Sequence, residues 1–484
     1  MPTSNISGDS LLLIQVDTLC HTPAITCEPG IGLVEIARTM RDHDISGLVV
    51  VEDNAPIGVV SLSDIRNHIA ETGGTGPCTA RDLMSGSMVT IRHRARVFEA
   101  IFKMAKHNIH RLAVVDENGG LIGTITDTDL LRLQTCTPLY LNQEIDAAQS
   151  VEQLAKISDR MLDIVKSATQ AGASARSLAE LIAHFNDTLT LRIIALMDSI
   201  EGLRLPDGAA FLVLGSQGRG EQTLRTDQDS AIIYNDDLSA DRQAEVARFS
   251  SRLCEALDQI GIPRCPGDTM ASNPQWRQSV SGWKRIIDHW FAVPTPENMV
   301  NFGMFQDYRV LCGNRSFEKI INDHIQSNIQ RNALFLAQMA RHLVRFQPPL
   351  GMFGRIRVER RGENRGKVDL KKAGIFAVTE GASLLGLEAG IVNGTTWDKL
   401  ERLGQHGILA ATDAETISDA MSYLVHLRLQ RQVRAMLSGQ KPSNHIDPLV
   451  MTDKERDRLR EALKGVGMLQ KILRDRFRVD FISR

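Results

Sequence analysis

No C-x-x-C pair occurs among the seven cysteines, Cys20, Cys27, Cys78, Cys136, Cys254, Cys265 and Cys312. Their odd number and scattered spacing argue against a disulfide framework and a cysteine-zinc centre. Free thiols in a reducing cytoplasm are the expectation. No apolar run approaches the roughly 20 residues that a membrane span needs. The opening MPTSNISGDSLLLIQV lacks a basic n-region and does not read as a signal peptide. Neither sign of charge is in excess: Lys and Arg total 56, Asp and Glu 58, and the formal net charge is −2. Nothing global therefore draws the chain to nucleic acid or to an anionic membrane. Hydrophobic content of 43% and charged content of 24% are those of a globular protein. At 484 residues the chain is too long for one ordinary core, and three or four domains are expected.

The stretch richest in chemistry is FLVLGSQGRGEQTLRTDQDSAIIY, from Phe211 to Tyr234. It reads as a buried strand, a glycine-rich turn, a short helix and a second strand. Gly215, Ser216, Gly218 and Gly220 allow close backbone approach, and Arg219 and Glu221 follow. The turn is not a Walker A loop, because no Gly-Lys-Ser/Thr follows, and it lacks G-x-G-x-x-G spacing. Asp227 and Asp229 open the second strand. A period of two puts both on one face. Two neighbouring carboxylates repel unless a cation lies between them or one is protonated. Oxygen ligands suit Mg²⁺ or Mn²⁺. A D-x-D on a solvated strand edge is the plain alternative.

Thr18 to Leu133 contains a repeat with an offset of roughly 65 residues. Each copy runs strand, amphipathic helix, apolar strand, turn, apolar strand, then S/T-x-x-D. Leu33, Ile36, Ala37 and Met40 fall at helical spacing in the first copy, and Val97, Ala100, Ile101 and Met104 in the second. Leu48–Val51 and Leu112–Val115 read as buried parallel strands. Ser61 with Asp64, and Thr126 with Asp129, are equally consistent with helix caps and with a phosphate and ribose site.

Helices are expected over Ser150–Gln170 and Ser174–Glu201, then over Asp241–Ile260. Trp276, Trp283 and Trp290 follow, either as core anchors or as pocket walls. NFGMFQDYRVLCG, from Asn301 to Gly313, reads as a strand that carries Asp307 and Arg309 on one face. Asp307 could be a surface carboxylate or could pair with Arg309. From Ser316 the chain is mostly helical, and Thr412 with Glu415 reads as a capping box. Residues 354–375 carry Arg355, Arg357, Arg360, Arg361, Arg365, Lys367, Lys371 and Lys372. Such a run serves nucleic acid, phosphate or only solvent. The lack of interleaved aromatics lowers the nucleic-acid reading.

The repeat resembles a CBS pair, or Bateman module, which implies an adenine nucleotide at Ser61, Asp64, Thr126 and Asp129, and a homodimer formed through the module. LGSQGRGEQTLRTDQDSAIIY resembles the polymerase β superfamily of nucleotidyltransferases. It is similar to the catalytic domain of PII-protein uridylyltransferases, and closer to a bacterial family that joins such a domain to CBS pairs. HLRLQRQV and PSNHIDP resemble that family's helical substrate-binding domain. The resemblance implies an α/β plus all-α fold. Residues 18–135 would be a regulatory tandem CBS pair and 139–205 a helical connector. Residues 206–315 would be the polymerase β-type catalytic domain and 316–484 a helical bundle that binds substrate. By the same resemblance Asp227 and Asp229 hold Mg²⁺ and Asp307 is the third carboxylate, as general base or third metal ligand. Gly215, Ser216, Arg219 and Glu221 meet the NTP substrate. Lys371, with Asp369 and Lys372, closes over the triphosphate. The implied activity is transfer of an NMP to a hydroxyl of a protein or small molecule in cytoplasmic signal transduction. A catalytically inactive nucleotide-sensing scaffold is the alternative. No H-D metal site or ACT repeat is found, so reversal of the modification and glutamine sensing are not implied.

Overall fold

The two repeats share one order of elements because their apolar strands and S/T-x-x-D caps are alike, although their turns differ. In the first, β1 (Thr26–Cys27), α1 (Leu33–Asp42), β2 (Gly47–Glu52), β3 (Ala55–Ser61) and α2 (Leu62–Thr72) follow in order, and β4 (Ser85–Gly86) closes a sheet β1-β2-β3-β4. Asp53 and Asn54 both have positive φ, at 49° and 63°. Those angles make the two-residue connection that lets β2 and β3 pair antiparallel. In the second, β5 (Thr90–Arg92), α3 (Val97–His107), β6 (Arg111–Val115), β7 (Leu121–Thr126) and α4 (Asp127–Leu131) give a sheet β5-β6-β7. Here Asp116 Oδ1 accepts from the backbone of Asn118 and Gly120, each at 2.8 Å, to close the turn. The apolar strands β2 and β6 are central and buried, as expected. Each is parallel to one short neighbour and antiparallel to the other, so the sheets are mixed and not parallel throughout.

This computed structural model describes residues 15–481, apart from 44, 74–76, 87, 132–137, 225 and 352–353. Cys136 and the N-terminal stretch through residue 14 lie outside the described residues. The six described cysteines are free thiols. The chain divides into two compact units: residues 1–143 with 170–173, and 144–169 with 174–484. No helix among the described residues is long and apolar enough to cross a membrane.

The second unit, from Glu144, takes in α5 (Val151–Gln170) up to Thr169 and α6 (Ala175–Glu201); the two helices are separated at Gly172, whose φ is +77°. α6 buries Leu181, Phe185, Leu189, Ile193 and Leu196 on one stripe. Its central sheet has the order β10-β9-β8-β11. The strands are β8 (Ala209–Val213), β9 (Ser230–Tyr234), β10 (Arg277–Ser279) and β11 (Arg309–Gly313). β8 pairs antiparallel with β9 and β11, and β10 runs parallel to β9. α7 (Ala240–Gln259), α8 (Val280–Ala292) and α9 (Pro296–Phe305) connect the strands. Trp276, Trp283 and Trp290 are all buried, Trp276 and Trp290 also line a cavity of about 420 Å³, and Trp283 Nε1 donates to Ile232 O at 2.9 Å. Trp283 stacks on Phe305 with ring centroids 4.5 Å apart.

The rest is a helical bundle: α10 (Ser316–Arg331), α11 (Ala333–Leu343), α12 (Phe376–Ala389), α13 (Thr396–Gln405), α14 (Ala411–Leu437) and α15 (Asp453–Arg476). A two-strand ribbon interrupts it, with β12 (Val368–Asp369) between α11 and α12 and β13 (His445–Ile446) between α14 and α15. The expected Thr412–Glu415 capping box does not form. α14 starts one residue earlier, with Ala410 as its uncapped N-cap, so Thr412 falls inside the first turn. Capping boxes open α13, at Thr395 and Asp398, and α15, at Thr452 and Glu455.

Candidate active site

Asp227 and Asp229 sit immediately before β9, on an extended segment. Leu214 N donates to Asp229 O at 2.9 Å, which ties this segment to the end of β8. Gln228, between them, is buried and donates to Cys254 O at 3.1 Å and Ile262 O at 2.8 Å. The intervening side chain thus turns into the core toward α7, and the two carboxylates share the opposite face. Among the described residues neither is in an ion pair. Burial raises the pKa of both; Asp229, which also feels Asp227, is pushed up to about 6. The Cys265 thiol is hydrogen-bonded to Asp229 and opposes its rise, as do the positive charges of Lys371 and Arg219. Lys371 and Arg428 act on Asp227 in the same sense.

The glycine-rich turn lies against this pair. Residues 215–218 make one helical turn, and Gly215 has φ +51°. A Cβ there would lie 3.5 Å from Asp229 Oδ2 and 3.3 Å from Met304 Cε of α9. Ser216 is half-buried, and no side-chain partner is found for its hydroxyl among the described residues. Gly218 answers to a different neighbour. A Cβ on it would overlap the carbonyl oxygen of Asp307 and lie 2.9 Å from that of Val213. Its bareness serves backbone packing.

Asp307 does not join the aspartate pair, which corrects the expectation of a third metal-site carboxylate or base. It lies in the turn between α9 and β11, outside the strand, and is buried. It accepts from Arg219 Nη1 at 2.7 Å, from Lys399 Nζ, and from Ser383 Oγ at 3.0 Å. Burial alone would push its pKa up, but Lys399 and then Arg219 hold the carboxyl below the usual range. Arg219 also donates through Nε to Glu221 Oε1 at 2.5 Å. Glu221 accepts from the backbone N of Thr396 at 2.6 Å and from its hydroxyl at 2.8 Å. Arg219 and Glu221, expected to meet nucleotide, are instead bound into this buried network with α12 and α13. Arg309 pairs with Asp187 of α6 at 2.6 Å and not with Asp307. Among the described residues no group of three His, Cys, Asp or Glu side chains gathers as a metal site.

Lys371 is exposed at the start of a wide π turn that leads into α12. Asp369 Oδ1 accepts from the backbone of Lys371 at 2.9 Å and of Lys372 at 3.2 Å, which caps that turn. Arg428 of α14 escaped the sequence reading. Its Nε donates to Asn444 Oδ1 at 2.8 Å, and burial lowers its pKa to about 10 despite Asp369 and Asp227. The available signal was a cation on the otherwise apolar stripe Ile417, Met421, Leu424.

In the first unit both S/T-x-x-D pairs form capping boxes. Ser61 Oγ meets Asp64 Oδ2 at 2.5 Å, and Thr126 Oγ1 meets Asp129 Oδ2 at 2.6 Å. They differ in the second carboxylate oxygen. Asp129 Oδ1 bonds His21 Nε2 at 3.0 Å, whereas Asp64 Oδ1 has no hydrogen-bond partner among the described residues.

Comparison with known proteins fits this geometry. Residues 16–71 and 80–135 match the CBS domain model. Residues 159–297 match "Putative nucleotidyltransferase DUF294", and 333–477 match "Putative nucleotidyltransferase substrate binding domain". An uncharacterized protein of Methanopyrus kandleri is 33% identical over 138 residues, 28% of this chain and 70% of its own length. A second, from Methanocaldococcus jannaschii, is 32% identical over 108 residues, 22% of this chain and 35% of its own. Among solved structures, a CBS domain protein from Pyrobaculum aerophilum complexed with AMP is 25% identical, with a TM-score of 0.23, over 25% of this chain and 98% of that one. The chain thus belongs to the family that joins a tandem CBS pair to a nucleotidyltransferase domain of this type and its substrate-binding helical domain.

Proposed function

We propose that the second unit transfers a nucleoside monophosphate from an NTP to a hydroxyl, and that an adenine nucleotide on the CBS pair sets its rate. The observation that carries the reading is the Asp227–Asp229 pair. Two partly desolvated carboxylates share a face, with no ion-pair partner among the described residues, beside Gly215 and Ser216 and within the field of Lys371 and Arg428. That donor set fits a hard divalent cation, Mg²⁺ or Mn²⁺. Bound between the carboxylates, it would neutralise triphosphate charge and help to activate the attacking hydroxyl. The chain's own residues do the rest. Ser216 offers a hydroxyl to phosphate, and Lys371 supplies an exposed cation on the same side. The acceptor oxygen bonds to the α-phosphorus, the bond from that phosphorus to the bridging oxygen breaks, and pyrophosphate leaves. The acceptor proton passes to solvent, because Asp307 is bound up with two cations.

Resemblance to the PII uridylyltransferases favours a protein hydroxyl as acceptor, and a cytoplasmic, CBS-mediated dimer as the setting. On the CBS pair, Asp64, whose second oxygen has no partner among the described residues, is the readier ribose partner. One observation favours a second reading, a nucleotide-sensing scaffold without turnover: no third acidic ligand stands with Asp227 and Asp229 among the described residues. Incubation with each of four labelled NTPs, Mg²⁺ and lysate of the source organism separates the two, with Asp229→Asn as control. Label on a macromolecule, lost in Asp229→Asn, is expected. Mg²⁺-dependent NTP binding with no label under any condition would sink the transferase and leave the scaffold.

A further inference from the structure

Residues 354–372 concentrate eight cations against three carboxylates in a chain whose net charge is −2. They are an ordered arm. Glu359 N donates to Lys367 O and Gly366 N to Glu359 O, both at 2.9 Å, which makes a hairpin with its tip near Gly362. The arm is pinned at its base. Arg460 Nε donates to Gly354 O at 2.8 Å, His445 Nε2 lies 3.3 Å from Glu359 Oε1, and β12 pairs with β13. Arg355, Arg357, Arg360, Arg361 and Arg365 are exposed, and none of them, nor Lys367, is in an ion pair among the described residues. Internal structure therefore does not account for the charge.

Position does. Lys367 is four residues from Lys371, so the arm's root lies within about 14 Å of a cation that faces Asp227 and Asp229. The tip projects roughly 10 Å beyond the root, past what a triphosphate held at Gly215 and Lys371 spans. The field of exposed charges fades over about 8 Å in physiological salt, so the arm acts on whatever lies directly over it. We propose that this hairpin docks the acceptor, and that the acceptor is a protein presenting an acidic surface beside the hydroxyl to be modified. The proposal rests on the transferase reading and names the substrate class for it. Five of the six arm cations are arginines, whose forked donors match carboxylates two by two. Single-stranded nucleic acid fits less well, because residues 354–372 contain no aromatic side chain to stack a base.

The test uses the full chain and a fluorescent oligo-glutamate peptide as probe. Wild type is compared with a variant carrying Arg357→Gln, Arg360→Gln, Arg361→Gln and Arg365→Gln. The peptide is expected to bind wild type in a salt-sensitive manner and the variant about tenfold more weakly. Binding of a fluorescent ATP analogue with Mg²⁺ should be equal in both, and melting curves should coincide. Equal peptide binding by both proteins overturns the proposal. So does preferential binding of an RNA oligomer of the same charge, which would make the arm a nucleic-acid site. Loss of ATP-analogue binding in the variant overturns it too, since the arm would then grip the triphosphate. Asp229→Asn separates the two readings: it should bind the peptide as wild type does while losing transfer. If no protein transfers label but peptide binding still depends on the arm, the transferase fails and the docking surface stands.

Discussion

Asp307→Asn distinguishes a structural carboxylate from a catalytic one. The side chain neutralises Arg219 and Lys399, whose side chains are 9% and 1% exposed. Removing one partner of a buried ion pair costs about 3–5 kcal/mol, mostly because the other charge is left bare. Two features place this case near the lower end. Arg219 keeps Glu221. Glu380, whose acidity Asp307 helps to suppress, ionises more readily once that charge has gone. A loss of about 3 kcal/mol lowers the melting temperature by roughly 6 °C in a large domain. All four tryptophans, at 276, 283, 290 and 397, lie in the second unit, so urea unfolding followed by tryptophan emission reads that unit alone. Lys399→Met combined with Asp307→Asn should recover part of the loss, because the stranded ammonium is removed. Transfer assayed well below the variant's melting temperature should stay within a few-fold of wild type. A catalytic base would give the opposite pattern, unchanged melting with a loss of about 10²–10⁴ in rate. That pattern would refute the assignment.

Gly218→Ala should unfold the turn, because its Cβ would overlap the Asp307 carbonyl oxygen; a soluble variant with wild-type melting would contradict that packing. The Glu380 carboxyl is pushed up to about 8 by burial, so its proton stays on in the folded state after the unfolded chain has lost it. Its cost to stability therefore appears as pH rises from about 4.5 to 8. Glu380→Gln should gain on wild type in urea midpoint across that window, and an equal difference at pH 5 and pH 8.5 would count against it. In the first unit, Asp64→Ala and Asp129→Ala each remove a capping-box carboxylate and should cost about 1 kcal/mol. Only Asp129→Ala also frees His21, whose imidazole resonance should shift in NMR; a shift in both variants would contradict the asymmetry.

What the sequence revealed was local. The stretch 211–234 announces strand, turn and strand within two dozen residues, and the D-x-D alternation needs only the period of an extended chain. The repeat betrays itself by comparison with itself, and α6 by its apolar stripe. Asp307 was misplaced because its partners come from elsewhere: Arg219 lies 88 residues before it, Ser383 76 after and Lys399 92 after. Nothing near Asp307 distinguishes a carboxylate awaiting a proton from one already held by two cations. The neighbouring Arg309 invited a local pairing, and Asp187 of α6 takes that arginine instead. Lys399 and Arg428 did leave a trace, each a cation on an otherwise apolar helix stripe. Such a residue needs a buried counter-charge, and looking for one would have led from α13 to Asp307 and from α14 to Asp227 and Asp369.

The motif G-S-x-G-R-x-E therefore serves two faces of one turn. Gly215 and Ser216 look toward Asp227 and Asp229. Gly218, Arg219 and Glu221 look toward Asp307, Ser383, Thr396 and Lys399. The front half can hold its geometry only if the back half is satisfied, because Glu221 and Asp307 stripped of their donors beneath the turn would draw in water and pull it away from β8. The satisfying groups belong to α12 and α13, in the region matched as substrate-binding domain. The two matched regions are consequently one electrostatic object. A fragment ending at residue 315 would leave Asp307 without Lys399 and Ser383, and Glu221 without Thr396. Such a fragment should fail to present the aspartate pair even though it contains every residue of the motif. The helices of the region matched as substrate-binding domain are thus also the helices that hold the turn in place.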